Sequence, residues 1–302
     1  MTRAGLAPPP GRQGPGPLPG GALQLLDLAL ARRAGGPLPG EHRAPGLGSG
    51  TELAQLRPYE VGDDVRHLDP SASARTGVPH VRLHVPERAL TTWVVLDVSP
   101  SMAFGTADRL KSDVAEGAVR VVSQLAVRRG GRLALLTCGA PVDRVLPPRG
   151  GRRTIARVGR VLEEGVAPDG PVDARALATA LWRVRRAAAH HGLVVVVSDF
   201  RGAEDWERAL RAVAARHAVI AISIVDPSEV QLPDAGVVAM ADPETGELIE
   251  VDTSSASLRK RFAAAERARR DALRSGLRRA GARHVELSTR GEWVRALAEE
   301  LR

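Results

Sequence analysis

The chain is 302 residues long, 43% hydrophobic, and carries a formal net charge of +8. One large α/β core with appendages fits that length, because single cores stop growing near roughly 250–300 residues, and no run reaches the ~18 apolar residues of a membrane span. The basic excess does not by itself indicate a nucleic-acid binder: only Lys111 and Lys260 are lysines among the 43 basic residues, a coding bias, and 3% aromatic content leaves few rings for base stacking.

Residues 1–20 hold six prolines and five glycines, a composition that cannot bury enough apolar surface to offset ordering, and Pro/Gly-rich sequence returns over 35–50. The expectation is therefore a disordered region over residues 1–50, relieved only by one short amphipathic helix at 23–30. The N-terminus has no basic region followed by an apolar core and a cleavage site, so a cytoplasmic location is expected. A small β-containing preface is expected over 51–89. It is polar and turn-rich from 59 to 77, after which His80-Val81-Arg82-Leu83-His84-Val85 alternates as a half-exposed strand does.

The main domain is predicted over 90–302. A strand over 90–97 contains the unbroken apolar run Trp93-Val94-Val95-Leu96, the pattern of a parallel strand covered on both faces. Leu110, Val114, Ala118, Val121 and Leu125 then recur at helical spacing, and Gly130-Gly131 supplies the stop. Further strands follow at 132–138, 142–146 (an edge), 193–197, 218–225 and 283–287. They alternate with a helix carrying Ile155, Val158 and Leu162, and with helices over 173–190, around Trp206, over 254–280 and over 292–301. Two short β runs flank the Pro243-Glu244-Thr245-Gly246 turn. Strands alternating with helices imply a Rossmann-like, mostly parallel sheet with helices on both faces. Cys138, the only cysteine, has no disulfide partner and is placed in the core.

In an open parallel sheet, ligands bind beyond the carboxyl ends of the strands. Asp97 and Asp199 stand at two such ends, and Asp97-Val98-Ser99-Pro100-Ser101 delivers one carboxylate and two hydroxyls within five residues. Oxygen donors without His or Cys suit a hard cation, Mg²⁺ or Mn²⁺, with a coordination position left open.

Asp97, Ser99 and Ser101 resemble the first motif of the metal-ion-dependent adhesion site in von Willebrand factor A domains. Residues Tyr59 to Asp69, Ser73-Ala74-Arg75-Thr76-Gly77 and Val197-Ser198-Asp199-Phe200 resemble the bacterial domain of unknown function 58 family. That resemblance, covering roughly 51–226, implies a von Willebrand factor A-like domain that binds proteins without catalysis and acts with MoxR-type AAA+ ATPases in assembly or chaperone-like roles. Two departures stand out. Asp69-Pro70 replaces the family's Asp-Trp, and residues 167–176 contain no Ser or Thr where the adhesion site normally adds a threonine. Asp169 or Asp173 is the alternative oxygen donor, or else Asp173 only caps its helix.

Asp63, Asp64, Arg66 and Arg75 are candidates for a partner surface, or for a buried Asp-Arg network that holds the preface against the main domain. His80 and His84 share a strand face but lack a third metal ligand. Two other functions stay open: metal-dependent phosphoryl transfer, weakened by Ser99 standing where such an enzyme needs a second aspartate, and nucleic-acid binding through the arginine-rich surface.

Overall fold

The computed structural model describes residues 13–17, 52–85, 90–128, 130–202 and 205–301. It divides into two compact units, residues 37–89 and residues 1–36 with 90–302. The helix expected at 23–30 lies outside the described residues.

In the smaller unit, β1 (Glu52–Pro58) pairs antiparallel with β2 (His80–Val85). Between them the expected turn-rich stretch contains a 3-10 turn, Val65–His67, and a helix, α1 (Pro70–Thr76). The helix exists because Asp69 caps it, accepting from the Ala72 amide at 2.9 Å, Pro70 opens it with a preset φ, and Gly77 closes it at φ 72°. The departure Asp69-Pro70 is therefore a helix start.

The larger unit is built on a six-stranded sheet in the order β10-β7-β6-β3-β4-β5. Its strands are β3 (Thr91–Asp97), β4 (Arg132–Cys138), β5 (Val145–Arg149), β6 (Gly192–Ser198), β7 (Ala218–Val225) and β10 (Arg283–Ser288). All neighbours are parallel except β4 and β5. The edge strand lies three residues later than expected and carries Pro147 and Pro148, which an edge tolerates because one side of the strand needs no donors.

The period-two geometry of β3 divides the core in two. Val94 and Leu96 pack with α2 (Lys111–Arg128), α3 (Arg152–Glu163) and α8 (Trp293–Glu300). Trp93 and Val95 pack with α4 (Ala176–Ala187), α5 (Trp206–Ala214) and α7 (Ala256–Arg279). Cys138 belongs to the second core and is 1% exposed. A four-residue helix, α6 (Pro227–Val230), follows β7. The turn expected at 243–246 joins β8 (Val237–Ala241) to β9 (Leu248–Asp252) in an antiparallel hairpin.

Helix α4 is shorter than the expected 173–190. Asp173 accepts from the Arg175 amide at 2.9 Å, a local turn that competes with the helix, so the cap position falls to Arg175. The reading of Asp173 as helix cap is thus corrected to a turn former. Residues 13–17 also depart from the expected disorder. They are hydrogen-bonded to the main domain through Asp113, Arg109 and Trp293.

Candidate metal centre

Strands β3 and β6 are neighbours, but the chain leaves β3 through α2 towards β4 on one side and leaves β6 through α5 towards β7 on the other. This is the switch point at which an open α/β sheet forms a crevice. The register sets Leu96 beside Val197, so Asp97 and the segment Ser198-Asp199 emerge together. Ser198 Oγ donates to Asp97 Oδ2 at 2.6 Å, and the Ser99 amide donates to Asp97 Oδ1 at 2.9 Å.

Ser99 precedes a 3-10 turn, Pro100–Ala103, whose tight rise brings Ser101 Oγ to 3.0 Å from Ser99 Oγ. Gly139 at the end of β4 makes room for this loop. Its φ is +90°, and a Cβ there would stand 2.9 Å from both Asp97 Oδ1 and the Ser99 amide. On the β6 side Phe200 has φ 52°, the only positive φ outside glycine among the described residues. That bend is held by the Phe200 amide donating to Ser198 Oγ at 2.9 Å and by the Phe200 ring meeting Trp206 edge-on at 5.4 Å.

A small cavity of about 40 Å³ is lined by Asp97, Ser99, Ser101 and Asp199, together with Asp173 and Glu244. Asp97, Ser99, Ser101, Asp199 and Asp173 thus line one cavity, and Asp169 is not among its lining residues. No three His, Cys, Asp or Glu side chains among the described residues group closely enough to hold a metal by themselves, so a bound ion needs the serine hydroxyls.

Two residues of this site escaped the sequence reading. Lys111, 0% exposed, places Nζ 2.6 Å from Asp199 Oδ2 and 2.8 Å from Glu229 Oε1. Its pattern did carry a signal, since it is one of two lysines in a chain that otherwise uses arginine. A compact ammonium fits an enclosed site where a guanidinium fork does not. From Glu229 the charges continue through Arg201 (3.0 Å) to Glu266 (3.3 Å) and Arg269 (2.9 Å). Glu244 arrives from the β8–β9 turn, which is tied to the 167–173 loop by the Gly170 amide donating to Pro243 O at 3.0 Å. Nothing in the local sequence placed that hairpin here.

The electrostatics are those of two neighbouring buried carboxylates, Asp97 and Asp199, of which only Asp199 is paired with Lys111. Burial pushes the Asp97 carboxyl up, and the charge of Asp199 pushes it further, against the hydrogen bonds from Ser198 and Ser99. Burial also pushes Asp199 up, but Lys111, joined by hydrogen bonds from the Arg201 amide and the Ser101 hydroxyl, outweighs this and holds it below the ordinary range. Lys111 loses by burial and gains more from Asp199 and Glu229, so it stays charged. Burial raises Glu244 as well, with Asp199 and Asp97 adding to it. The centre is short of positive charge, and its surplus falls on Asp97.

The proposed partner-surface residues belong to the smaller unit. Asp63 takes a two-pronged bond from Arg57 (2.7 and 2.9 Å), Asp64 pairs with Arg66 (2.7 Å), and Arg75 is exposed in the last turn of α1. Asp69, 6% exposed, receives Arg82 at 2.7 Å. Asp63 and Asp69 are each paired with an arginine of their own unit, Arg57 and Arg82. Outside this unit, arginines of α7 are engaged by acids, Arg269 by Glu266 and Arg274 by Asp271 and Glu286.

A family model described as "Protein of unknown function DUF58" matches residues 55–272. The chain belongs to the DUF58 family. An uncharacterized protein of Mycobacterium tuberculosis (Rv1480) is 40% identical over 275 residues, 90% of this DUF58 chain and 86% of the relative. A Mycobacterium avium protein (MAV169) is 40% identical over 150 residues, 49% of this chain and 87% of its own. Among solved structures, BatB from Bacteroides thetaiotaomicron aligns with 14% identity and a TM-score of 0.43, over 70% of this chain and 97% of that one. The SpRpn10 VWA domain aligns with 13% identity and a TM-score of 0.38, over 70% and 95%. The von Willebrand factor A-like architecture of the DUF58 domain rests on its own strand order, with helices on both faces and the paired carboxylates at the switch point. No helix among the described residues is long and apolar enough to cross a membrane.

Proposed function

We propose that this DUF58 domain is a non-enzymatic protein-interaction module with a metal-ion-dependent adhesion-type site, and that it works with a MoxR-type AAA+ ATPase. The observation that carries the reading is the convergence of Asp97, Ser99, Ser101 and Asp199 on one small cavity at the switch point. The donor set fits Mg²⁺ or Mn²⁺: every candidate ligand is an oxygen, and burial together with the Asp199 charge pushes the Asp97 carboxyl up, a penalty on its ionised form that a bound cation would relieve. Asp97 and the two serines would hold the ion, and Asp199, already paired with Lys111, would stand behind them. Bound there, the ion supplies a Lewis-acidic position that accepts a carboxylate from the partner. Family membership supports the AAA+ class of partner through the resemblance set out above.

The test is capture of candidate AAA+ ATPases by the full chain in Mg²⁺, in EDTA, and by Asp97→Ala. Capture that needs both Mg²⁺ and Asp97 is the expected result. Equal capture in all three arms would sink the metal bridge. Calorimetric titration with Mg²⁺ and Mn²⁺ separates the steps, since heat without capture rejects the partner class while retaining the metal.

A further inference from the structure

A second binding feature lies on the first turns of α2 where the helix meets Trp293 of α8, two residues beyond the Lys111 that serves the metal centre. Asp113, in the first turn of α2, is 0% exposed. Its oxygens are met by three backbone amides: Gln13 at 3.1 Å, Gly14 at 2.9 Å and Leu110 at 3.0 Å. One residue further along the N-terminal segment, the carbonyl of Pro15 accepts from Trp293 Nε1 at 2.9 Å and from Arg109 Nη1 at 3.0 Å. Four hydrogen bonds thus hold residues 13–15, and each meets a main-chain atom of the segment.

The floor of the contact is Gly117, one helical turn beyond Asp113. A Cβ there would come within 2.2 and 2.5 Å of two Trp293 ring atoms and 2.8 Å of Pro15 Cβ, so the helix must present a bare backbone for the ring and the proline to pack. Gly14 and Gly16 flank Pro15 at φ +71° and +74°, which lets a Gly-Pro-Gly segment follow the groove where L side chains would be strained. Arg109 Nε is buried with no hydrogen-bond partner among the described residues, which leaves the groove one further donor.

We propose that the start of α2 together with Trp293 forms a peptide-recognition groove for Gly-Pro-Gly segments of a partner protein, and that residues 13–17 fill it in cis as a tethered occupant. A carboxylate reading two amides, an indole and a guanidinium reading one carbonyl, and a glycine floor specify main-chain shape. Any chain with the same Gly-Pro-Gly conformation meets the same donors and acceptors. The tether makes the cis occupant the resident competitor, so the groove opens to a partner only when the segment is displaced or weakened.

The probe is a fluorescein-labelled peptide with the sequence of residues 9–20, followed by anisotropy on the full chain. The double variant Gly14→Val, Gly16→Val disfavours the two left-handed residues of the cis segment while leaving the groove intact. It should bind the peptide about tenfold or more tightly than the unaltered chain, because competition by the tethered copy is removed. Asp113→Asn on that background should lose most of the gain, and a peptide with valine for both glycines should not bind. Equal peptide affinity for the unaltered chain and the double variant would overturn the proposal and leave the segment a structural strap. If the double variant does not fold, amide exchange at Gln13 and Gly14 in the unaltered chain decides. Saturating peptide should accelerate it, and unchanged exchange rejects a displaceable occupant.

Discussion

Replacing Lys111 by methionine removes the one positive charge inside the metal centre while keeping length and apolar volume. Lys111 is fully enclosed, Asp199 is 2% exposed, and the ammonium lies 2.6 Å from that carboxylate and 2.8 Å from Glu229. Breaking a buried pair from one side leaves the other charge uncompensated and costs about 3–5 kcal/mol. For a domain of this size each kcal/mol lowers the midpoint by about 2–4 °C, so a fall of roughly 6–20 °C is expected in thermal unfolding followed by circular dichroism. The pH dependence has a definite sign. In the unaltered chain Asp199 is held below its ordinary range, so its contribution is present above the unfolded value near 3.9 and is lost as pH falls through the lower folded value. Without Lys111, burial is opposed only by the hydrogen bonds from the Arg201 amide and the Ser101 hydroxyl, and the folded carboxyl is expected to rise above the unfolded value. The variant then regains stability as pH falls from neutrality towards about 4. A gap that stays below about 1 kcal/mol, or stays constant between about pH 8 and pH 4.5, would refute the ion-pair reasoning. Mg²⁺ should also narrow the gap if the ion can stand in for the lost ammonium.

Asp97→Asn keeps an oxygen for the Ser99 amide and turns its NH2 towards the Ser198 hydroxyl, which then accepts instead of donating, while removing the surplus charge. In EDTA at neutral pH its midpoint should rise by roughly 2–4 °C, the equivalent of about 1 kcal/mol, whereas the Mg²⁺-dependent stabilisation should vanish. A midpoint that falls in EDTA would contradict the charge surplus assigned to Asp97. Gly139→Ala places a Cβ 2.9 Å from Asp97 Oδ1 in a left-handed backbone, so a loss of about 1–3 kcal/mol is expected by urea denaturation. An alanine variant of unchanged stability would show that the loop yields freely. His217 is 2% exposed, and burial first, then the nearby His191, Arg185 and Arg216 charges, lower its pKa to about 4. Because the unfolded ring titrates near 6.5, stability should fall as pH drops from there to about 4, by at most about 3 kcal/mol. His217→Leu should flatten that limb, and an unaltered profile would place the titrating group elsewhere.

The fold was legible because its signals were local. The unbroken run Trp93-Val94-Val95-Leu96 specified a strand covered on both faces, and the structure divides those four residues between two cores. Asp97 and Asp199 were placed by the rule that strand ends face the crevice, and the register brings them together. Lys111 was not found because burial, not spacing, gives it its role, and its partners are 88 and 118 residues away. Glu244 is similar: its turn was readable, but its arrival over the cavity depends on a backbone bond from Gly170. Residues 13–17 were misjudged for the opposite reason. Their composition cannot form a core of its own, yet main-chain groups alone suffice to attach them to one.

The enclosure of Lys111 gives the chain an unusual amine inventory. Only two lysines exist, and Lys260 is the exposed one, on the outer face of α7. An acylating reagent applied to the native protein should therefore modify Lys260 and spare Lys111. Mass increments at Lys111 would then record each opening of the metal centre, turning the buried ammonium into a clock for local unfolding that needs no added probe.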